Sequence, residues 1–244
     1  MADDCIVIEY ELTLSNGERK RHVVRLDRLT MGLASNVAGP LPEWTKLNFQ
    51  QCPNCPLVPS EHPRCPAAAA MVEIVESFKN SISYEKADVV VRTPYRTYNK
   101  TASLQEVATS LMGLHMVSSG CPILGKLRPL VFTHLPFATA DETFFRVVSM
   151  YLLAQFFRWK HGLAPDWELA NLLATCRDLN AVNVAFGKRI VGINTADASL
   201  NALVSLDCFA GLTGMSILND FFDDIESFFA GYLKDAPAKD DQAA

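Results

Sequence analysis

An alternation of apolar and polar residues marks the beginning of the chain. Between residues 7 and 14 the even positions are Ile, Tyr, Leu and Leu, and the odd positions are mostly polar. This period of two is typical of a half-buried β-strand. Ser15-Asn16-Gly17 follows, where Asn and Gly tolerate a positive φ, and a second alternating stretch runs from residue 19 to residue 26. The pattern predicts a β-hairpin.

The rest of the chain shows one more strand and several amphipathic helices. Residues 87–92 contain a run of three valines that predicts the third strand. Ser103-x-x-Glu106 and Thr139-x-x-Glu142 are capping boxes, in which the first and fourth residues satisfy each other's backbone N–H groups at a helix start. The apolar spacing predicts helices over residues 66–79, 103–120, 139–160, 166–186, 196–209 and 215–233.

These elements predict an α+β fold. We expect a small antiparallel sheet, made of the hairpin and one strand, and a cysteine-rich loop, packed on a mostly helical C-terminal half. Residues 1–135 would form the α/β cysteine-rich part and residues 136–234 a helical bundle packed on it, as one continuous domain. Residues 235–244 are polar and rich in Asp and Ala, which favours a disordered tail.

Composition and charge narrow the classes of function. The chain has 244 residues, 49% hydrophobic, with 27 acidic residues against 22 Lys and Arg. A net charge of −5 argues against nucleic acid as a partner, because phosphate binding needs a concentrated basic surface. The longest apolar stretch, residues 147–157, is shorter than the roughly 20 residues of a membrane span. The acidic start lacks the features of a signal peptide, so we expect a cytoplasmic protein without a membrane partner.

Residues 30–65 are irregular and rich in proline, which removes a backbone donor and fixes φ. A loop of this length inside a compact domain needs a specific reason to stay ordered. Cysteines provide a candidate reason, because four of the seven are each followed directly by proline, far more than chance gives. These four are Cys52, Cys55, Cys65 and Cys121. The other three, Cys5, Cys176 and Cys208, lie in predicted strands or helices and are interpreted as packing residues.

The spacing of the four cysteines is C-x2-C-x9-C, with Cys121 farther along the chain. C-x2-C lets two thiolates face one ion, as in zinc and iron–sulfur sites. Pro56 follows the second cysteine where a zinc knuckle commonly needs glycine, which favours a [4Fe–4S] cluster slightly over zinc. His62 is an alternative to Cys121 as the fourth ligand. The sequence therefore predicts a metal centre in the cysteine-rich loop.

Two short motifs, Cys52-Pro-Asn-Cys55-Pro-Leu and Gly120-Cys121-Pro122, resemble a family of uncharacterised bacterial proteins. The resemblance implies no activity. It supports treating the cysteines as one set.

The preferred hypothesis for function is a metal-binding protein whose cluster has a redox-responsive, regulatory or structural role, with a protein partner or a homodimer. One alternative is a cluster-dependent enzyme with an open coordination position near His62, Lys126 and Arg128, where the two cations would bind an anionic cofactor or ligand. Another is a zinc-stabilised interaction module that dimerises through its apolar C-terminal helices. We interpret His115 and His134 as buried histidines with satisfied hydrogen bonds. No P-loop, dinucleotide-binding or hydrolase motif is present.

Overall fold

The structure is a computed structural model that describes residues 5–34, 39–193 and 215–234, with side chains from residue 220 onward in the last segment. Four strands form one antiparallel sheet in the order β2-β1-β3-β4. They are β1 (Cys5–Leu14), β2 (Arg19–Asp27), β3 (Lys86–Arg92) and β4 (Thr97–Ser103). The predicted α+β class and the predicted hairpin are confirmed.

The sheet has one buried face, as the alternation predicts. Ile6, Ile8, Tyr10 and Leu12 of β1 are buried, and Val24, Leu26, Val89 and Val91 continue that face on the two neighbouring strands. The fourth strand has no counterpart in the predictions, because only Ala102 among its seven residues is buried. An edge strand with mostly solvent-facing side chains lacks the hydrophobic alternation that identifies the other three.

The helices predicted within the described residues are present with shifted ends, but the one predicted over 215–233 is divided in two, and the short helix at Pro129–Phe132 has no counterpart in the predictions. In chain order they are α1 (Pro66–Ala70), α2 (Val72–Phe78), α3 (Leu104–Ser118), α4 (Pro129–Phe132), α5 (Ala140–Lys160), α6 (Ala170–Val191), α7 (Met215–Ile225) and α8 (Ala230–Leu233). Short 3-10 turns lie at Glu43–Thr45, Leu124–Leu127 and Glu226–Phe229. Of the helices described here, none is long and apolar enough to cross a membrane.

Both predicted capping boxes are present, at Ser103 before α3 and at Thr139 before α5. Helix α6 begins later than predicted, because the Asp166 carboxylate accepts hydrogen bonds from the backbone N–H groups of Ala170 and Asn171 and thereby caps the helix from a distance. The helix predicted over 66–79 is interrupted at Met71. The predicted helix over 196–209, Cys208 and the predicted tail over 235–244 lie outside the described residues.

The proline-rich loop is fastened to α6 by Arg189. This side chain is only 1% exposed, and its guanidinium donates to the backbone carbonyl oxygens of Trp44 and Lys46, the latter at 2.8 Å. Gln50 provides a third, longer contact at 3.5 Å, and the cation lies over the ring of Phe49. A buried cation is tolerated only where its donors are satisfied, so these carbonyl groups fix the loop against α6.

The loop also bonds to itself. Arg64 donates to the carbonyl oxygen of Pro42 at 2.7 Å and to the hydroxyl of Thr45 at 2.8 Å. Backbone hydrogen bonds run from the N–H of Leu47 to the Pro63 carbonyl and from the N–H of Cys65 to the Thr45 carbonyl. The order of this loop therefore has an explanation in polar contacts between protein groups.

We expect Arg189→Met to lower the free energy of unfolding by about 2–4 kcal/mol, because it leaves buried carbonyl groups without a donor. Urea denaturation followed by circular dichroism measures the change. Lys188→Met is the matched control, since Lys188 is the exposed neighbour on the same helix. Equal midpoints for the two variants would contradict the role given to Arg189.

Candidate functional site

The four cysteines that precede proline all line one small cavity of about 20 Å3. The side chains of Leu47, Ile123, Phe186 and Arg189 share its wall. Within residues 5–34, 39–193 and 215–234, however, no group of three or more His, Cys, Asp or Glu side chains is arranged to hold a metal ion. The predicted [4Fe–4S] or zinc centre, and the function built on it, is therefore wrong.

The surroundings of the thiols explain the difference. Burial raises the pKa of Cys52 to about 12, with a further rise from the neighbouring thiols, and burial also raises the pKa of Cys121. Both thiols are therefore in their protonated form at neutral pH. Cys65 belongs to the hydrophobic core, and the other three pack against it. These cysteines behave as small apolar side chains.

The recurrent proline has a backbone explanation. Cys65 is the N-cap of α1, with Pro66 at the first helical position, where its missing N–H is harmless. Pro53 and Pro122 each begin a turn, the first closed by a hydrogen bond from the N–H of Cys55 to the Cys52 carbonyl. Three of the four Cys-Pro pairs therefore lie at a turn or a helix start beside a packed interior.

The alternatives that depended on the metal fall with it: the cluster-dependent enzyme and the zinc-stabilised module. His62 is exposed. Lys126 is also exposed, and its Nζ lies 3.6 Å from the carboxylate of Asp178. The Nε of Arg128 is buried without a hydrogen-bond partner among the described residues. No contact assigns a ligand to Lys126 or Arg128 within the described part, so their role in binding an anion stays a prediction.

A second cavity, of about 410 Å3, lies between α3, the segment 124–138, α5 and α6. Most of its wall is apolar, formed by side chains such as Leu114, Val117, Leu127, Leu130, Val147 and Leu179. Pockets for small molecules span roughly 300–1,000 Å3 and combine such a wall with a few polar groups. This cavity has the size and composition of a ligand site.

One polar part of this cavity consists of side chains that are linked by hydrogen bonds in a set of three. The buried Tyr10 oxygen lies 2.7 Å from Ser110 Oγ and 2.7 Å from His134 Nε2. Ser110 and His134 line the cavity, whereas Tyr10 supports them from the sheet. Burial, and then the charge of Arg146, lowers the pKa of His134 to about 4. The imidazole is therefore neutral at pH 7 and offers a hydrogen bond without a charge.

Arg146 is the cation of the cavity. Its Nη2 donates to the carbonyl oxygens of Leu130 at 2.7 Å and Thr133 at 2.9 Å. Burial lowers the pKa of this guanidinium, while the charge of Glu142, one turn earlier on α5, raises it. Among the ion pairs of the described residues, none includes Arg146. A guanidinium has five N–H donors, so donors remain after both carbonyl contacts. The cavity thus presents a half-buried positive charge beside a mostly apolar wall.

Comparison with protein families gives one finding. The sequence model of the family DUF6901, a domain of unknown function, matches residues 8–230. The chain belongs to the DUF6901 family. This agrees with the expected likeness to an uncharacterised family, while the match says nothing about the Cys-Pro motifs. Comparisons with curated proteins and with solved structures find no match.

The sequence did not predict a site at the larger cavity. It did correctly predict that His134 and His115 have hydrogen-bond partners: His115 Nδ1 lies 3.0 Å from the Ala70 carbonyl oxygen, and His134 Nε2 lies near the Tyr10 oxygen. Tyr10, Ser110 and Arg146 come from three separate elements, so no local motif unites them. One signal was available: Arg146 is a charged residue inside the apolar stretch of α5. Such a residue calls for a polar partner or a ligand.

Chelation tests whether a metal ion stabilises the cysteine-rich loop of this DUF6901 protein. We expect dialysis against EDTA under reducing conditions to leave the melting temperature unchanged, because the loop is held by Arg189 and Arg64. Differential scanning calorimetry measures it, with elemental analysis of the same samples. A fall in melting temperature that zinc or iron restores would contradict this expectation.

Acid should destabilise the DUF6901 domain through its buried histidines. Burial lowers the pKa of His22, His115 and His134 from 6.5 to about 4. Between these values the unfolded chain binds more protons than the folded one, so stability is lost as pH falls from 6.5 toward 4.

We expect His134→Gln to reduce the stability difference between pH 7 and pH 5 by about 1–2 kcal/mol, measured by urea denaturation. His161→Gln is the control, because His161 is exposed at the end of α5. Equal pH dependence in the wild type and both variants would show that His134 does not carry this effect.

Proposed function

We propose that this protein binds a small, largely apolar molecule with one anionic group, in the cavity between α3, α5 and α6. The observation that carries the proposal is Arg146, a half-buried cation on a mostly apolar wall, which forms no ion pair within 4.0 Å in the described part of the chain. Burial removes part of the hydration of a charged side chain, and an opposite charge offsets that cost. A ligand carboxylate would provide the missing partner.

The shape and chemistry of the cavity support a chain or a ring as the body of the ligand. At about 410 Å3 the cavity accommodates a medium-chain acid or a substituted aromatic acid. Arginine binds carboxylates in a forked geometry, and both contacts seen here use only Nη2. The backbone carbonyls of Leu130 and Thr133 hold the guanidinium in place before a ligand arrives, which lowers the entropy lost on binding.

A second contact with the ligand would be uncharged, through the hydrogen-bonded set of Tyr10, Ser110 and His134. Ser110 and His134 both bond to the Tyr10 oxygen. A serine nucleophile needs its base within direct hydrogen-bond reach, and here Tyr10 stands between the two. The arrangement therefore favours recognition of a hydroxyl or carbonyl group over acyl transfer.

The experiment compares an acid with the alcohol of the same length. The fluorescent probe 1-anilinonaphthalene-8-sulfonate, which is apolar and anionic, is displaced by decanoate or by decanol, and competition gives each affinity. We expect decanoate to bind about 10-fold or more tightly than decanol, since a charge-assisted hydrogen bond contributes about 1.5–3 kcal/mol.

Two variants test the contribution of the Arg146 charge and of the apolar cavity wall separately. Arg146→Gln should remove the preference for decanoate and leave decanol binding nearly unchanged, while Arg146→Lys, which keeps the charge, is the matched control. Ala138→Phe places a larger side chain on the cavity wall and should weaken both ligands. Equal binding of acid and alcohol by the wild type, or an unchanged preference in Arg146→Gln, would contradict the proposal.

A further inference from the structure

Helix α5 carries an apolar stripe that the described residues leave uncovered. Phe145, Leu152, Phe156 and Trp159 are exposed, the last two at 43% and 60%, and Ser149 is the exposed small residue between them. The steps between these positions are four, three, four and three residues. That spacing is the repeat that lets one helix pack along another in a coiled coil.

The stripe is distinct from the face that packs into this molecule. The buried residues of α5 are Phe144, Val148 and Gln155. Each directly precedes a residue of the stripe in the sequence, so its side chain points about 100° away from that residue around the helix axis. Trp159 and Phe157 both contact the ring of Phe156, with centroids 5.8 Å apart in each pair. Exposed aromatic groups of this extent are uncommon on a monomer and indicate an interaction surface.

The charges at the two ends of α5 indicate which partner fits the stripe and in which direction it packs. The first turn carries Asp141 and Glu142, and the last turn carries Arg158 and Lys160. A second α5 lying antiparallel would bring its basic end to this acidic end and its acidic end to this basic end. A parallel arrangement would place like charges together at both ends, which is unfavourable.

We propose that the α5 stripe is the surface on which a second copy of this chain docks, with the two α5 helices antiparallel about a twofold axis. When Asp141 lies opposite Lys160 of the second copy, the same register places Phe145 opposite Phe156 and Ser149 opposite Leu152. The Phe145–Phe156 pair and the Ser149–Leu152 contact then each form twice, as in the isologous interface of a twofold dimer. This inference does not rest on the proposed ligand.

Sedimentation velocity of the full chain across a range of concentrations tests the dimer. We expect the wild type to be a dimer and Phe156→Asp to be a monomer, with the dissociation constant raised about 100-fold or more, since it buries a charge at the centre of an aromatic contact. Leu29→Asp is the matched control, because Leu29 is an exposed leucine remote from α5 in sequence. Circular dichroism verifies that each variant is folded.

Charge reversal tests the direction of packing. Asp141→Lys and Lys160→Asp should each weaken the dimer about 3–10-fold, and the double variant should restore it, because each copy then presents the reversed pair to the other. A monomeric wild type, whether or not it binds vesicles of phosphatidylcholine and phosphatidylglycerol, would overturn the proposal. So would a dimer that survives Phe156→Asp, or a double variant no tighter than the single ones.

Discussion

Arg189 is a buried cation whose hydrogen-bond partners are backbone carbonyl oxygens of the proline-rich loop. Desolvating a guanidinium is costly, and only a complete set of acceptors offsets the cost. Because Arg189 lies near the end of α6, the loop and that helix are positioned together. Helix α6 also contributes to the walls of both cavities, through Phe186 in the small one and Leu179 in the large one. The placement of the loop against the helical half therefore depends on this contact.

The cysteine-rich loop shows where sequence reasoning reached the right residues and the wrong chemistry. The Cys-Pro pairs do converge on one cavity, but thiols in an apolar cavity favour protonation, and three of the four prolines lie at turns or a helix start. A pattern of residue types does not distinguish ligation from packing. The contribution of Arg189 is invisible in the sequence, because it lies more than a hundred residues from the carbonyl groups it bonds.

Local signals predicted the fold well where they were strong. The alternation in β1 and the capping boxes at Ser103 and Thr139 placed those elements, since both depend on neighbouring residues alone. Strand β4 was not predicted, because it is an edge strand with one buried side chain. The larger cavity was not predicted, because Tyr10, His134 and their neighbours meet only through tertiary packing. Two features of α5 follow from that packing as well: Arg146 turns into the cavity wall, and the aromatic stripe stays outside.

Hydrogen–deuterium exchange of the backbone amides of Leu47 and Cys65 tests most directly that protein groups, led by Arg189, hold the loop. Both amides donate to carbonyl groups within the loop. The account predicts strong protection in the wild type, unchanged by EDTA, and a selective loss of protection in Arg189→Met while the amides of α3 stay protected. Protection that disappears with EDTA in the wild type, or persists in Arg189→Met, would contradict it.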